Sequence, residues 1–374
     1  MADVLIVAGE PSGEEHALTF IPRLRALRPD LKFWGVGGDV LQIEGMELRY
    51  HLRDFSSMGF SEVVVKIPFY KKALKDLVDE AVKRGTRDAI LVDFQDFNLR
   101  LAQRLAKRGI RVWYYVAPQA WAWRPWRATT LANTVHRLFT ILPFEEQWFS
   151  ERGVKQLTAV PHPLVTNWAG PLLRLPPRPW SERLLKNPRL MILPGSRRSE
   201  VQPLLPIFIQ TVKALKAIIP GLHVTLSRVT HLDAKLYDCA QGHVDHWITP
   251  EELPQELLTA DTALAASGTV TLGTGLMGVP TVVAYQSSLI NEFIIRQIIG
   301  YQKAVSLTNL VLEDDIFPEL LQQQAQVPLL LQSVLSWWQD PTHWNSTTDA
   351  LAKLPGLLAG GERDVGAMMA KEMA

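Results

Sequence analysis

The chain has 374 residues, 47% hydrophobic and 21% charged, a composition that is ordinary for a soluble enzyme of one large or two medium domains. Its formal net charge of +1 gives no global case for nucleic-acid binding, and its single cysteine, Cys239, excludes a disulfide framework and a cysteine-rich zinc site. The first residues lack the basic and apolar pattern of a signal peptide, and no apolar run approaches the ~20 residues of a membrane-spanning helix. We therefore expect a protein of the reducing cytoplasm.

Short apolar runs alternate with helical patterns along the chain. Runs rich in Val, Ile and Leu predict strands at residues 4–8, 32–36, 89–92, 111–116, 138–142, 157–160, 190–193, 223–227, 262–266 and 281–285. They lack strict polar alternation, as do strands that are covered on both faces. Helical stretches between them, such as 98–108 and 204–218, complete a βαβ pattern. The sequence therefore predicts an α/β protein with doubly wound parallel sheets.

A proline-rich stretch separates the two series of strands. Proline at this density stiffens the chain and denies regular structure, so we place a linker at residues 171–188. The first Rossmann-like domain is then 1–170, the second 189–340, and a helical tail covers 341–374. We expect the two domains to face each other across a ligand-binding cleft. The tail packs either on the first domain or on a second subunit of a homodimer.

The turn after the first predicted strand combines glycines with acids. Gly9 and Gly13 are typical of a phosphate-binding turn between strand and helix, and Ser12 adds a hydroxyl, but Glu10 and its neighbours bring carboxylates to the same place. Composition alone does not resolve this contradiction.

Apolar residues and lysines interleave after a glycine-containing loop at Met58. The stretch "VVVKIPFYKKALKDL" carries Lys66, Lys71, Lys72 and Lys75. This pattern suits a patch that lies on an anionic membrane, and a solvated amphipathic helix is the alternative.

Polar side chains follow the two strands in the middle of the first series. Asp93, Asp96 and Asn98 come directly after residues 89–92. A partly buried carboxylate at Asp93 can act as a general base, whereas Asp96 and Asn98 can simply cap the next helix. The loop after the next strand, "YYVAPQAWAWRPWRA", is expected at the same sheet end. Its candidate residues are Gln119, Trp121 and Arg124.

Two turns in the second series have the ingredients of a pyrophosphate site. Gly195, Ser196 and Arg197 offer backbone N–H groups at a helix start, a hydroxyl and a guanidinium, and a second turn follows residues 262–266 in the same way. That second turn consists of Ser267, Gly268 and Thr269. A helix cap is the alternative for each turn taken alone.

Two other patterns indicate no cofactor. Residues 273–278 fit G-x-G-x-x-G, but they fall inside a predicted helix, and no acidic residue ends the following strand. A glycine-lined helix face is the better interpretation than a dinucleotide site. His243 and His246 lack further ligands, so we predict no metal site.

In chain order, nine segments form a recognisable series from Val4 to Gln322. They are "VAGEPSGE", "MGFSEV", "DFQDFN", "YVAPQAWAWRPWR", "LPFE", "LPGSRRSEV", "ASGTVTL", "VVAYQ" and "VSLTNL". Together they resemble the lipid-A-disaccharide synthase family of inverting glycosyltransferases with the two-Rossmann-domain B fold.

The resemblance implies a reaction and a set of site residues. The family transfers 2,3-diacylglucosamine from UDP to 2,3-diacylglucosamine 1-phosphate, forms a β-1,6 linkage and releases UDP, without a metal, at the cytoplasmic face of the inner membrane. By resemblance Asp93 is the general base, Glu10 a functional acid facing the acceptor, and Arg197 the diphosphate ligand. Tyr285 and Asn309 fall on the nucleotide side. Glu14 then serves as a cap, and Glu15 faces water.

Several positions depart from the family pattern. The gravest is Gly273, where the family typically has a glutamate for the ribose, and Gln286 replaces a basic residue. Hydrogen bonds to charged groups contribute roughly 1.5–3 kcal/mol each, so we expect weaker uridine binding unless other residues compensate. A divergent transferase with another nucleotide-sugar or acceptor, and a non-catalytic glycolipid-binding protein, are the alternatives.

Overall fold

The computed structural model describes residues 2–55, 60–286 and 304–373, and the chain divides into two compact units. The first unit comprises Met1–Pro163 together with Leu358–Ala374, and the second comprises Leu164–Leu357. Each unit is built on one parallel sheet, as the sequence predicts.

The first unit contains a seven-stranded sheet with the order β3-β2-β1-β4-β5-β6-β7. Its strands are β1 (Ala2–Ala8), β2 (Leu31–Gly37), β3 (Glu47–His51), β4 (Asp88–Val92), β5 (Arg111–Tyr115), β6 (Arg137–Thr140) and β7 (Leu157–Ala159). Its helices are α1 (Pro11–Leu18), α2 (Ile21–Leu27), α3 (Asp39–Ile43), α4 (Leu52–Phe55), α5 (Phe60–Lys83), α6 (Gln95–Ala106), α7 (Ala120–Trp123), α8 (Trp126–Thr134) and α9 (Glu145–Ser150).

The core of this unit covers both faces of the sheet. Along β1, Leu5 and Val7 contribute to one apolar cluster, whereas Val4 and Ile6 contribute to the other. Side chains of a strand point alternately to the two faces, so a strand that is covered on both sides has no polar positions. This explains the continuous apolar runs in the sequence.

The second unit contains a six-stranded sheet with the order β10-β9-β8-β11-β12-β13. Its strands are β8 (Arg189–Leu193), β9 (His223–Ser227), β10 (His246–Ile248), β11 (Thr262–Ala266), β12 (Thr281–Tyr285) and β13 (Glu319–Leu321). The helices after α9 are α10 (Pro163–Asn167), α11 (Ala169–Leu173), α12 (Arg198–Ile218), α13 (Leu253–Glu256), α14 (Thr269–Leu276), α15 (Leu307–Leu312), α16 (Val327–Gln339), α17 (Pro341–Leu351), α18 (Leu354–Leu358) and α19 (Val365–Glu372). Short 3-10 turns lie at Glu182–Leu185, Ala234–Ala240, Pro250–Glu252 and Gln322–Gln324.

The domain boundaries differ from those that the prolines predict. The first unit ends at Pro163 rather than at residue 170, and the stretch 171–188 belongs to the second unit. Leu184 is only 1% exposed in the core of the second unit, and Trp180 Nε1 donates to the Trp338 carbonyl over 2.9 Å. The proline-rich stretch is therefore a packed strap and not a linker.

The predicted tail 341–374 is also divided. Its first part, through Leu357, belongs to the second unit, and the remainder returns to the first. There Met369 on α19 is fully buried, and the Arg137 guanidinium holds the Glu372 carboxylate at 2.8 Å. Among the described residues, no helix combines the length and apolar character required to cross a bilayer.

Candidate active site

The strand order of the first sheet places Glu10 and Asp93 at the same point. The order reverses between β1 and β4, and ligands of such sheets bind in the crevice that opens there at the carboxyl ends of the strands. Glu10 follows β1, and Asp93 follows β4. The two carboxylates interact electrostatically, because the negative charge of Glu10 contributes to raising the pKa of Asp93.

The loop after β1 presents Glu10 outward. Glu10 is exposed, precedes α1 with an extended backbone and does not cap the helix with its side chain. Ser12 is also exposed, whereas Gly13 is buried, and a Cβ there would lie 3.4 Å from the Val92 carbonyl oxygen. Small residues thus let α1 approach the strand ends while the acid remains accessible.

The other two acids of this loop have separate places. Glu14 Oε1 accepts from the backbone amides of Gly38 at 2.8 Å and Leu41 at 3.0 Å, so Glu14 caps α3. Glu15 is exposed. Both observations agree with the sequence-based expectations for these two residues.

Asp93 has the environment of a general base. Burial is the main cause that raises the pKa of its carboxyl to about 6; the nearby Glu10 adds to the rise, and a hydrogen bond from the Phe94 amide opposes it. At neutral pH the group is mostly ionised, yet it is a stronger base than an ordinary aspartate.

The backbone at this position is strained. Asp93 and Phe94 both have φ of 46°, and Val116, after the neighbouring strand, has φ of 66°. Left-handed conformations cost non-glycine residues about 1–3 kcal/mol each, and they persist only where the surroundings enforce them. Strain therefore concentrates at the two strand ends beside the candidate base.

Asp96 does not cap a helix, so the capping role that the sequence allowed for this residue is wrong. Helix α6 begins at Gln95, and the Asp96 carboxylate inside its first turn accepts from Arg124 Nη1 at 2.9 Å and from Arg127 Nη2 at 2.5 Å. Arg127 is fully buried and also donates to Gln95 Oε1 at 2.7 Å. The network ties the loop after β5 to the helix after β4.

Trp121 in the same loop is buried and held by a buried acid. Its indole N–H donates to Glu145 Oε1 at 3.0 Å, while Glu145 Oε2 accepts the amides of Ile141 and Leu142. Burial raises the pKa of Glu145 to about 7. Gln119, by contrast, is exposed at this edge.

Two predicted acceptor-side residues are not placed there by the structure. Asn98 is completely buried beneath the Asp93 turn, so its side chain does not face an acceptor. Met58 lies outside the described residues. Asn98 is therefore part of the support of the site rather than of its surface.

The second sheet has the same layout as the first, but the turn after β8 differs from the predicted one. Its order reverses between β8 and β11, and the turn through Gly195, Ser196 and Arg197 follows β8. The amides of Ser196 and Arg197 are not free, because both donate to Glu200 Oε2, at 2.9 and 3.2 Å. The Arg197 side chain is 79% exposed and reaches Glu200 Oε1 at 3.3 Å.

The turn after β11 is open. Gly268 and Thr269 are exposed, Ser267 is partly exposed, and α14 begins at Thr269. Gly268 precedes the helix without a side-chain cap. A helix start in this position offers amide donors and a positive dipole end to an anion.

The two predicted nucleotide-side residues differ in their accessibility. Tyr285 ends β12 and is partly buried. Asn309 is 2% exposed; its amide nitrogen donates to the Phe317 carbonyl and to Glu319 Oε1, and its amide oxygen accepts the Phe317 amide. Asn309 therefore supports the junction of α15 and β13 with both of its amide N–H groups, and its role on the nucleotide side stays a prediction.

The glycine-rich stretch 273–278 is a packing face, as the sequence favours. A Cβ at Gly273 would lie 2.6 Å from Trp168 Cη2, and one at Gly275 would lie 2.6 Å from Thr308 Oγ1. The indole of Trp168 thus occupies the space beside Gly273, and a glutamate at this position would have to displace it. Gln286 donates to the carbonyls of Gln322 and Ala325.

Replacing Gly273 by alanine is expected to lower the free energy of unfolding by about 1–3 kcal/mol, because the added methyl overpacks against Trp168. Urea unfolding measures the change. Gly170→Ala is the matched control: Gly170 is also helical, and nothing lies within 4 Å of its added Cβ. Equal stability of the Gly273→Ala variant and the parent protein would show that the indole is not fixed against this helix.

Sequence reasoning missed the supporting residues Glu200, Glu145 and Trp168. A signal existed for Glu200, which follows Arg197 at the three-residue spacing of a capping box. Trp168 is remote in sequence from its partner Gly273, so no local pattern could find it. Glu145 ends the segment "LPFE" of the family-like series, but the segment does not reveal its hydrogen bond with Trp121. Within the described residues, no group of three His, Cys, Asp or Glu side chains is arranged to hold a metal ion.

A comparison with protein families matches residues 4–353 to the model described as lipid-A-disaccharide synthetase. Among curated proteins, the chain is 37% identical over 359 residues to the lipid-A-disaccharide synthase of Myxococcus xanthus, with 95% of this chain and 93% of the relative covered.

Solved structures share the fold at low sequence identity. A kitacinnamycin glycosyltransferase aligns with a TM-score of 0.60 and 14% identity over 99% of this chain and 97% of its own. A UDP-GlcNAc 2-epimerase from Neisseria meningitidis, bound to UDP-GlcNAc, gives 0.59 and 11% over 99% and 98%. These similarities show the fold with two Rossmann-like domains that is named glycosyltransferase B.

Proposed function

We propose that this chain, which belongs to the lipid-A-disaccharide synthase family, transfers 2,3-diacylglucosamine from its UDP donor to 2,3-diacylglucosamine 1-phosphate. The products are a β-1,6 disaccharide and UDP. The observation that supports this most directly is the pair Glu10 and Asp93 at the reversal of the first sheet, with the pKa of Asp93 raised to about 6.

Asp93 takes the proton of the acceptor hydroxyl in this proposal. The hydroxyl oxygen forms a bond to the anomeric carbon as the bond from that carbon to the diphosphate oxygen breaks, which inverts the configuration. A base whose pKa lies just below the working pH is ionised and still basic enough to accept the proton. Glu10, exposed beside it, is the acid that contacts acceptor hydroxyls.

Charge builds up on the leaving diphosphate and is neutralised from the second unit. The exposed Arg197 guanidinium is suited to bind two phosphate oxygens, and the open start of α14 at Gly268 and Thr269 adds amide donors. Ser267 contributes its hydroxyl, because its amide donates to the Ala284 carbonyl at 3.1 Å. We propose that these groups suffice and that the reaction needs no metal. Because Glu200 occupies the amides beside Arg197, the turn after β8 contributes its side chain rather than its backbone.

The test is an assay of the purified chain with both acylated substrates, with and without EDTA. We expect a disaccharide, identified by mass spectrometry, whose linkage is β-1,6 by NMR, and equal rates in both arms. Absence of disaccharide would overturn the proposed reaction. Loss of activity in EDTA that Mg²⁺ restores would overturn metal independence alone.

We propose that α5 carries the surface that meets the cytoplasmic face of the inner membrane. Lys71, Lys72 and Lys75 are exposed, and Ile67 is 42% exposed. The apolar part is smaller than the sequence predicts, because Phe69 and Tyr70 are partly buried against the core, where Tyr70 donates to the Phe55 carbonyl at 2.8 Å.

Reversing two of these charges is expected to weaken membrane binding. A lysine near an anionic surface contributes about 1 kcal/mol, so Lys71→Glu with Lys72→Glu should reduce partitioning roughly tenfold or more. Co-sedimentation with phosphatidylcholine vesicles, with and without phosphatidylglycerol, measures it. The control is Lys186→Glu with Lys213→Glu, the same charge change on exposed lysines of the second unit. Unchanged binding of the α5 variant would remove the surface from the proposal.

A further inference from the structure

The backbone carbonyl of Asp93 is held by two buried side chains. Asn98 Nδ2 donates to it over 2.9 Å, and the Tyr114 hydroxyl donates to it over 3.2 Å. Both donors are completely buried, so neither side chain is available to a substrate. Two buried side chains therefore donate to one backbone carbonyl, and that carbonyl belongs to the candidate base.

The Asn98 amide also joins the two strands at the reversal of the sheet. Besides the Asp93 carbonyl, its nitrogen lies 3.4 Å from the Val7 carbonyl oxygen and 3.2 Å from that of Val92. These carbonyls belong to the ends of β1 and β4, the strands that carry Glu10 and Asp93. One amide therefore bonds to the ends of both strands, beside the backbone ladder that pairs them.

The strained turn needs this support. Asp93 and Phe94 both have φ of 46°, a conformation that relaxes unless surrounding contacts over-determine it. The Asp93 amide donates to the Tyr115 carbonyl at 2.9 Å, which holds one side of the peptide. Asn98 and Tyr114 hold the other side. Rotation of the turn toward an ordinary conformation would break both of their hydrogen bonds and swing the carboxylate away from its partly buried position.

We propose that Asn98 and Tyr114 are positioning residues that hold Asp93 in its left-handed turn and thereby aim its carboxylate at the acceptor hydroxyl. This inference rests on the proposed function, in which Asp93 is the base. It assigns to Tyr114 a role in the reaction and moves Asn98 from the acceptor surface to the support of the base.

Tyr114→Phe is the principal test, because it removes one hydroxyl and leaves the Asp93 carbonyl bonded to Asn98. Removal of a neutral hydrogen bond of this kind should lower kcat by about threefold to tenfold and leave the KM for the donor unchanged. The acid limb of the kcat/KM profile should also move to lower pH, because a released carboxylate is better hydrated. Asn98→Ala should produce the same changes with larger size.

Tyr115→Phe is the matched control. Tyr115 is a buried tyrosine on the same strand, but its hydroxyl pairs with Thr19 rather than with Asp93. The substitution leaves in place the backbone carbonyl that accepts from the Asp93 amide. It should leave kcat and the acid limb unchanged. Should Tyr114→Phe match this control in both measurements, the positioning role is overturned. The variant Asp93→Asn in the same assay separates the causes: if it retains full activity, the base assignment fails and the positioning role fails with it.

Discussion

Replacing Asp93 by asparagine is expected to lower kcat by about 10²–10⁴-fold, the usual contribution of a general base. Asparagine has nearly the same shape and tolerates left-handed backbone, so the turn at φ of 46° should persist. Affinity for UDP, measured by calorimetry, should stay the same because the residues proposed to bind the diphosphate belong to the other unit. Undiminished disaccharide formation would show that another group accepts the proton.

The same substitution should make the folded protein more stable. A carboxyl whose pKa is about 6 in the folded state and about 3.8 when unfolded binds its proton more tightly when folded, so ionisation opposes folding as pH rises through that window. The asparagine variant should gain up to about 3 kcal/mol above pH 6 and nothing below about pH 4. Activity of the parent protein has the opposite dependence, since kcat/KM should fall below pH 6 as Asp93 is protonated.

Asp88 provides the reverse control on the same strand. It is 3% exposed at the other end of β4, where its carboxylate accepts from Arg111 Nη2 and Trp113 Nε1, each at 2.8 Å. Asp88→Asn breaks a buried ion pair and should lower stability while kcat per folded molecule is kept. Activity loss with stability gain at Asp93, and the converse at Asp88, would separate chemistry from folding.

Replacing Arg197 by alanine is expected to lower kcat/KM by about 10²–10⁴-fold. Hydrogen bonds to charged groups contribute roughly 1.5–3 kcal/mol each, and the guanidinium can form two with a diphosphate. Lysine at this position should recover only part of the rate, because an ammonium cannot bind two oxygens in parallel. The affinity for UDP should also fall from arginine to lysine to alanine at this position. Stability should change little, since the Arg197 side chain is 79% exposed.

Arg198 offers the matched control in the next position. It is exposed and directs its Nε to Gln202 Oε1 at 3.2 Å, along its own helix. Arg198→Ala removes the same charge from the same turn and should leave kcat/KM nearly unchanged. Equal losses at the two arginines would indicate a general effect of positive charge rather than a specific diphosphate ligand.

The sheets were predictable because their strands are covered on both faces. Such strands are continuous apolar runs, and the predicted segments correspond to most of the observed ones. The strands that escaped prediction lie at sheet edges: β3 is only partly buried, and β10 and β13 have three residues each. Helix α12 begins at Arg198, earlier than the predicted start at residue 204, because Pro203 inside it masks the helical pattern of its first turns.

The candidate site was predictable to the extent that it depends on chain order. Residues that directly follow parallel strands must lie at one sheet edge, which places Glu10 and Asp93 without any contact being known. The hydrogen-bond partner of a particular atom could not be predicted in this way. Glu200 accepts from the amides of the turn after β8, and the Asn309 amide donates to Phe317 and Glu319. These hydrogen bonds depend on side-chain packing, which the order of residues does not specify.

The return of α19 to the first unit affects how the protein is made. Residues 164–357 are synthesised between the two parts of that unit, so its last helix arrives roughly 10–40 s after the seven strands at ordinary translation rates. During this interval the surface that Met369 later covers is open, and Arg137 lacks its partner Glu372. Of the two units, the one whose synthesis begins earlier is thus completed later, and it exposes this apolar surface in the meantime.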